Sequence, residues 1–176
     1  YEYQYNKSQG YQLLDGPYRY STPKKARLNE KVIFSRQSFS EYPNIRISDL
    51  SFKTELLISD ANPQQKDYNW GTIELVSWSS LDGLALNGML VKPEDFDPTK
   101  KYPMIVNFYE KSSDRIHTYR TPSPGRSSIN YSFYASRGYL IFNPDVYYRV
   151  GYPGDSAFNC VIPGVTSLIE KGFVDE

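Results

Sequence analysis

The sequence has little histidine and cysteine: one of each in 176 residues. A zinc hydrolase of the His-Glu-x-x-His type needs two imidazoles on one helical face, so these residues exclude that class. The single Cys160 excludes an internal disulfide and every multi-cysteine metal site. We therefore expect neither a metal ion nor a cofactor.

Neither sign of charge is in excess, because 20 Lys and Arg balance 20 Asp and Glu. Without a basic excess, we expect no nucleic-acid partner. Apolar runs such as residues 103–109 fall far short of the roughly 20 residues that a membrane span needs. The first residues lack an initiator Met and the basic and apolar parts of a signal peptide, so we expect a segment of a longer chain.

The first third of the sequence predicts an all-β structure. Residues 31–36 and 45–50 are short alternating runs typical of antiparallel strands, and residues 15–17 and 42–44 supply turn chemistry. A polar cluster follows at residues 59–67, which indicates a domain boundary near Asn62.

The remainder predicts an α/β domain. Residues 72–78 and 84–91 flank Asp82-Gly83, a strong hairpin signal, and residues 102–109 read as a strand buried on both faces. A helix over Ile129, Phe133 and Tyr134, ended by Gly138, then precedes a strand at residues 139–143. Because strand, helix and strand follow in that order, we expect a right-handed crossover and a mostly parallel sheet.

A last helix is predicted near the end of the sequence, capped by Asp155 or Ser156 and ended by Lys171-Gly172. Pro163-Gly164 should bend it or delay its start. Its predicted core-facing residues are Ile162, Val165, Leu168 and Ile169.

The two residues best suited to nucleophilic chemistry have simpler interpretations. His117 lies in the polar segment 111–118, which favours a surface or loop histidine over a member of a Ser-His-Asp triad. Cys160 lies in the apolar segment 157–162, which favours a buried inert thiol over a nucleophile activated by His117.

A series of short segments in order resembles the prolyl oligopeptidase family of serine peptidases, above all its dipeptidyl aminopeptidase and acylaminoacyl peptidase branches. The segments are Asp82-Gly83, residues 90–93, residues 96–103, Tyr109, residues 137–139, Pro144-Asp145, Gly151 and residues 171–175. In that family a β-propeller precedes an α/β-hydrolase domain. The resemblance therefore implies that residues 1–61 are carboxy-terminal propeller strands and residues 62–176 the amino-terminal portion of the hydrolase domain.

The same resemblance implies that the catalytic serine, acid and histidine lie beyond Glu176. In the family a Gly-x-Ser-x-Gly elbow follows the segment that resembles residues 172–175 within about a dozen residues, and the acid and histidine come later. Gly154-Asp155-Ser156-Ala157-Phe158 lacks the closing small residue of an elbow and is interpreted as a helix cap. We expect the chain alone to be inactive.

Tyr109 is the one catalytic candidate within the sequence. Members of the family place a tyrosine after the corresponding strand, and its hydroxyl donates to the oxyanion of the tetrahedral intermediate. A phenol, with an ordinary pKa of about 10, keeps its proton at neutral pH and suits that role. The alternative is that Tyr109, one of 17 tyrosines, ends a strand for packing reasons, and Glu110-Lys111-Ser112 departs from the glycines of relatives.

Three further interpretations follow from the resemblance. Asp145 and Arg149 stand near the acidic and basic residues of an Asp-x-Arg-Gly loop, and we interpret them as a carboxylate-guanidinium contact that orients this loop. Substrate contact by Arg149 is the alternative. Trp70 and Trp78 are interpreted as filling the core between propeller and hydrolase.

The resulting hypothesis is a fragment of a serine peptidase that hydrolyses short peptides, with the remainder of the parent polypeptide as its partner. A non-catalytic binding or scaffold module and an esterase of the same fold are the alternatives. An open sheet edge would also favour homo-oligomers.

Overall fold

The computed structural model describes residues 12–123 and 129–175, whose contacts divide into two units. The first unit comprises residues 12–63 and His117–Tyr119, and the second comprises the other described residues from Gln64 onward. Residues 1–11 of the predicted propeller segment and Glu176 lie outside the described residues.

The first unit is a sheet in which every strand pairing is antiparallel, as its alternating sequence predicts. The central strand buries Val32 and Phe34 on one face and exposes Ile33 on the other, the period-2 pattern of a half-buried strand. Its strands are β1 (Arg19–Tyr20), β2 (Lys24–Lys25), β3 (Lys31–Gln37), β4 (Ile45–Asp49) and β5 (Glu55–Leu57). β3 pairs with β1, β2 and β4, and β5 pairs with β4.

A network of two arginines and two glutamates crosses this sheet. Arg36 and Arg46 both bind Glu41 and Glu55, with nitrogen-oxygen distances of 2.9 Å from Arg36 to Glu41 and 3.1 Å from Arg46 to Glu55. Each charge has two opposite neighbours, which offsets the cost of their partial burial. The network therefore joins β3, β4, β5 and the loop between the first two.

The second unit contains a four-stranded sheet and two helices. Its elements are β6 (Thr72–Ser79), β7 (Ala85–Lys92), β8 (Met104–Val106), α1 (Tyr131–Ala135), β9 (Leu140–Pro144) and α2 (Pro153–Glu170). Short 3-10 helices lie at Pro63–Asp67 and Ser113–Arg115. The strand order is β6-β7-β9-β8.

The prediction of a mostly parallel sheet is wrong. Only β8 and β9, joined through α1, are parallel, whereas the pairs β6-β7 and β7-β9 are antiparallel. The crossover gives one parallel pair, but the hairpin strand β7 lies between β6 and β9 and runs antiparallel to both. The hairpin itself is confirmed: Gly83 has φ +84° in the turn, where glycine avoids backbone strain.

The burial of β8 also differs from the expectation. Its residues are half-buried because β8 is the outer strand of the sheet, whereas every residue of its inner neighbour β9 is buried. At its beginning, Tyr102 donates its backbone N–H to Phe173 at 2.9 Å and accepts the N–H of Asp175 at 2.9 Å. The outer edge of the sheet is therefore paired there, in the parallel sense, by the segment that follows α2.

The observed ends of the two helices agree with the prediction better than their observed starts do. α1 is capped by Asn130, which accepts the N–H of Phe133, and left-handed Gly138 and Gly172 lie just beyond the two helices as predicted. α2 begins at Pro153, so the predicted cap at Asp155 or Ser156 is wrong. Proline suits the first turn because its φ is fixed near the helical value and its missing N–H has no intrahelical partner.

The core of the second unit lies between α2 and the sheet. Val165, Leu168 and Ile169 contribute to it as predicted, but Ile162 does not, since its side chain is exposed. Pro163 neither ends nor delays the helix.

Trp78 lies within this core, so its predicted position between two domains is wrong. Its ring packs edge-on against Phe142 at 5.3 Å, and its indole N–H donates to the carbonyl of Cys160 at 2.8 Å. A Cβ at Gly164 would lie 2.8 Å from the Trp78 ring, so glycine allows α2 to approach the tryptophan. The interpretation of Trp70 stays a prediction.

Candidate functional site

Tyr109 lies at the edge of the sheet where the parallel strands β8 and β9 end. It follows β8 by three residues, and its side chain is 78% exposed. In open sheets with parallel strands, ligands bind outside the carboxyl ends of the strands, so a binding site is expected at this edge. The phenol is free to contact a substrate that approaches there.

Both ends of the loop that carries Tyr109 are attached to the end of β9. The N–H of Asn107 donates to the carbonyl of Phe142 at 2.9 Å, and the amide nitrogen of Asn143 donates to the carbonyl of Asn107 at 2.5 Å. The hydroxyl of Ser112 donates to the amide oxygen of Asn143 at the other end. One asparagine side chain thus bridges the start and the end of the loop.

Asp145 binds the end of this loop as well. Its carboxylate is 1% exposed and accepts the backbone N–H groups of Ser112 at 2.7 Å and Ser113 at 2.9 Å. The hydroxyl of Ser113 donates to the second carboxylate oxygen at 2.5 Å. The backbone N–H of Asp145 in turn donates to the carbonyl of Asn87 on β7 at 2.9 Å.

The predicted contact between Asp145 and Arg149 is wrong. No ion pair joins them within residues 12–123 and 129–175, because the N–H groups of Ser112 and Ser113 and the Ser113 hydroxyl already satisfy the carboxylate. The backbone N–H of Arg149 donates to the hydroxyl of Ser156 at 3.0 Å, and its guanidinium lies 5.7 Å from the Tyr152 ring centre. Asp145 does orient a loop, but through backbone amides.

Tyr148 adds a second phenol near the exposed loop. Partial burial raises the pKa of Tyr148 above its ordinary value, and the negative charge of Glu110 raises this pKa further. Tyr148 therefore stays protonated at neutral pH and remains a hydrogen-bond donor. Tyr148 thus offers a neutral hydroxyl donor near this loop.

The other nucleophile candidates of the sequence are not part of this site. Cys160 is buried, as interpreted from its apolar neighbours. Ser156 is also buried, and its hydroxyl donates to the carbonyl of Tyr152 at 2.6 Å, which is unlike the exposed serine of an elbow. His117 is a half-buried turn residue of the first unit.

Over the part of the chain that the structure describes, no three His, Cys, Asp or Glu side chains are placed to hold a metal ion. Among the described helices, none is long and apolar enough to cross a membrane.

Sequence reasoning named Asp145 as a loop-orienting residue but with the wrong partner, and it missed Asn143. Asn143 and Asp145 are two positions apart at the end of a buried strand, and their side chains point into the loop connections instead of solvent. The signal for such loop-binding residues in the sequence is a pair of polar residues at the end of an apolar run. Their serine partners lie 31 to 33 positions earlier and carry no local pattern.

The fold is similar to parts of solved peptidase structures. The dipeptidyl peptidase 4 of Porphyromonas gingivalis matches over 83% of this chain with a TM-score of 0.57 and 20% identity. The acylaminoacyl peptidase of Pyrococcus horikoshii matches over 92% with a TM-score of 0.62 and 19% identity. A prolyl endopeptidase matches over 90% with a TM-score of 0.57 and 14% identity. The resemblance identified from the sequence is thereby confirmed at the level of the fold.

The chain spans about a quarter of the length of these structures. It covers 22% of the dipeptidyl peptidase, 26% of the acylaminoacyl peptidase and 24% of the prolyl endopeptidase. No protein-family model and no curated protein sequence matches it.

Proposed function

We propose that the chain is part of a serine peptidase that hydrolyses short peptides. The observation that carries this proposal is the similarity of 83 to 92% of its fold to dipeptidyl, acylaminoacyl and prolyl peptidases. Residues 1–61 would then be the last strands of a propeller, and residues 62–176 the start of an α/β-hydrolase domain. The antiparallel first unit and the sheet and helices of the second support this division.

Within that peptidase, Tyr109 is the proposed oxyanion donor. A serine from the remainder of the polypeptide attacks the peptide carbonyl, and a histidine takes the serine's proton. The negative charge then forms on the former carbonyl oxygen, where the Tyr109 hydroxyl and one backbone N–H donate to it. The exposure of Tyr109 at the carboxyl edge of β8 supports this role, because a buried phenol could not reach a bound substrate.

The proposed nucleophile, acid and histidine belong to the remainder of the parent polypeptide. The described residues support this assignment, since Ser156, which lies in the elbow-like segment, is buried and engaged in its own helix. The chain expressed alone should consequently have no peptidase activity.

A comparison of the full-length polypeptide with this chain tests the proposal. We expect the full-length protein to release nitroaniline from peptide p-nitroanilides, and residues 1–176 alone to release none above the uncatalysed rate. Simple p-nitrophenyl esters serve as the contrasting substrates. Hydrolysis of esters without any hydrolysis of peptides would replace the proposal with the esterase, and activity of the isolated chain would contradict the assignment of the triad.

A further inference from the structure

Tyr109 depends on its loop for its position. Within the described residues, no hydrogen bond holds its hydroxyl, and most of the side chain is exposed. The loop is instead fixed at its two ends, at Asn107 and at Ser112-Ser113, by hydrogen bonds to β9 and the residue after it. The direction of the phenol therefore follows from the geometry of those two ends.

The buried carboxylate of Asp145 is the strongest of these attachments. A charge with 1% exposure is costly unless it is paired or hydrogen-bonded, and here two backbone amides and one hydroxyl supply the bonds. No lysine or arginine of the described ranges forms an ion pair with it. All of the hydrogen bonds that its carboxylate accepts thus come from Ser112 and Ser113.

Asn143 completes the attachment, because its side-chain amide both donates and accepts a hydrogen bond and thereby binds both ends of the loop. Its nitrogen donates to the carbonyl of Asn107, and its oxygen accepts the hydroxyl of Ser112. A leucine at this position could do neither, and an aspartate could only accept. The two side chains together fix the start and the end of the loop relative to the sheet.

We infer that Asp145, assisted by Asn143, is a positioning residue that holds the Tyr109 loop in the geometry required of an oxyanion donor. The inference rests on the proposed function for its catalytic part, while the attachment of the loop can be measured without any activity. Asp145 does not touch the substrate in this account. It acts through Tyr109.

The first test measures hydrogen exchange in residues 107–113 of the full-length protein. Asp145→Ala should accelerate exchange of the Ser112 and Ser113 amides at least about tenfold, since both lose their acceptor. Asp114→Ala is the matched control, because this exposed carboxylate lies in the adjacent 3-10 helix and should leave the exchange unchanged. Asp145→Asn, which keeps one acceptor oxygen, should remain close to the wild type. Equal exchange in Asp145→Ala and the wild type would overturn the attachment.

The second test is a double-mutant cycle in the full-length protein. With Tyr109 present, Asp145→Ala should lower kcat about tenfold or more with little change in KM, since a small misplacement of a catalytic group has effects of this size. With Tyr109→Phe already in place, the same change should lower kcat less than about twofold. Asp145→Asn should recover most of the activity.

Different results of this experiment would contradict the inference on Asp145 and the proposed peptidase function. Equal losses from Asp145→Ala in both backgrounds would show that Asp145 does not act through Tyr109 and would overturn the inference while leaving the peptidase intact. A full-length protein without peptidase activity would contradict the proposed function, and an unaffected Tyr109→Phe variant would contradict the role of Tyr109. Either result would remove the catalytic part of the inference. The exchange measurement would still decide whether Asp145 holds the loop.

Discussion

Replacing Tyr109 by phenylalanine should lower the kcat of the full-length protein at least about tenfold, with KM nearly unchanged. The change removes one hydroxyl and keeps the ring. A hydrogen bond to the oxyanion exists only once the tetrahedral intermediate develops, so its loss reduces turnover and kcat/KM together. Steady-state kinetics with a peptide p-nitroanilide measure this effect.

The stability of the Tyr109→Phe variant should match that of the wild type, because the side chain is 78% exposed. Tyr68→Phe is a suitable control, since it removes the hydroxyl of another exposed tyrosine of the second unit. It should leave both kcat and stability unchanged. If Tyr109→Phe behaves like this control, the Tyr109 hydroxyl has no part in catalysis.

The largest effect on stability is expected from Phe142→Ala, with a loss of about 4 kcal/mol in the free energy of unfolding. Phe142 is completely buried in β9, and its ring packs against Trp78 at 5.3 Å and lies beside Gly164 of α2. Truncation leaves a cavity between the sheet and α2. Neither Gly164, which has no side chain, nor the Trp78 indole, which is held by its hydrogen bond, can fill this cavity. Urea unfolding followed by tryptophan fluorescence measures the change.

Phe158→Ala is the matched control for this prediction, because it truncates the same side chain on the exposed side of α2. With 60% exposure, Phe158 should contribute less than about 1 kcal/mol. Similar losses from the two variants would contradict the assignment of the core to the interface between β9 and α2. A large loss from Phe142→Ala alone supports it.

Local signals in the sequence predicted those features whose causes are local. Asp82-Gly83 fixed the hairpin, and glycines at positions 138 and 172 ended the two helices, because a left-handed backbone favours glycine at each point. The burial of Cys160 followed in the same way from its apolar neighbours. Each of these predictions needed only a few adjacent residues.

Apart from the wrong cap of α2, which is a local error, the errors concern interactions between distant parts of the chain. Arg149 is four residues from Asp145 and suggested an ion pair, yet the carboxylate binds amides more than 30 positions earlier. Ile162 has the spacing of a core residue but is exposed, because α2 contacts the core through Val161, Val165 and Leu168 instead. β8 ends at Val106, short of the strand predicted over residues 102–109, so Tyr109 lies in the loop beyond it. The contacts of Asn143 and Asp145 that hold this loop required the structure.

The central claim is that this chain belongs to a serine peptidase whose nucleophile lies in the remainder of the polypeptide. The most direct measurement is to label the full-length protein with a fluorophosphonate, which reacts with activated serines, and to identify the labelled peptide by mass spectrometry. The account predicts one labelled serine within a Gly-x-Ser-x-Gly segment on the carboxy-terminal side of residue 176. Labelling of a serine within residues 1–176, or of no serine at all, would contradict it.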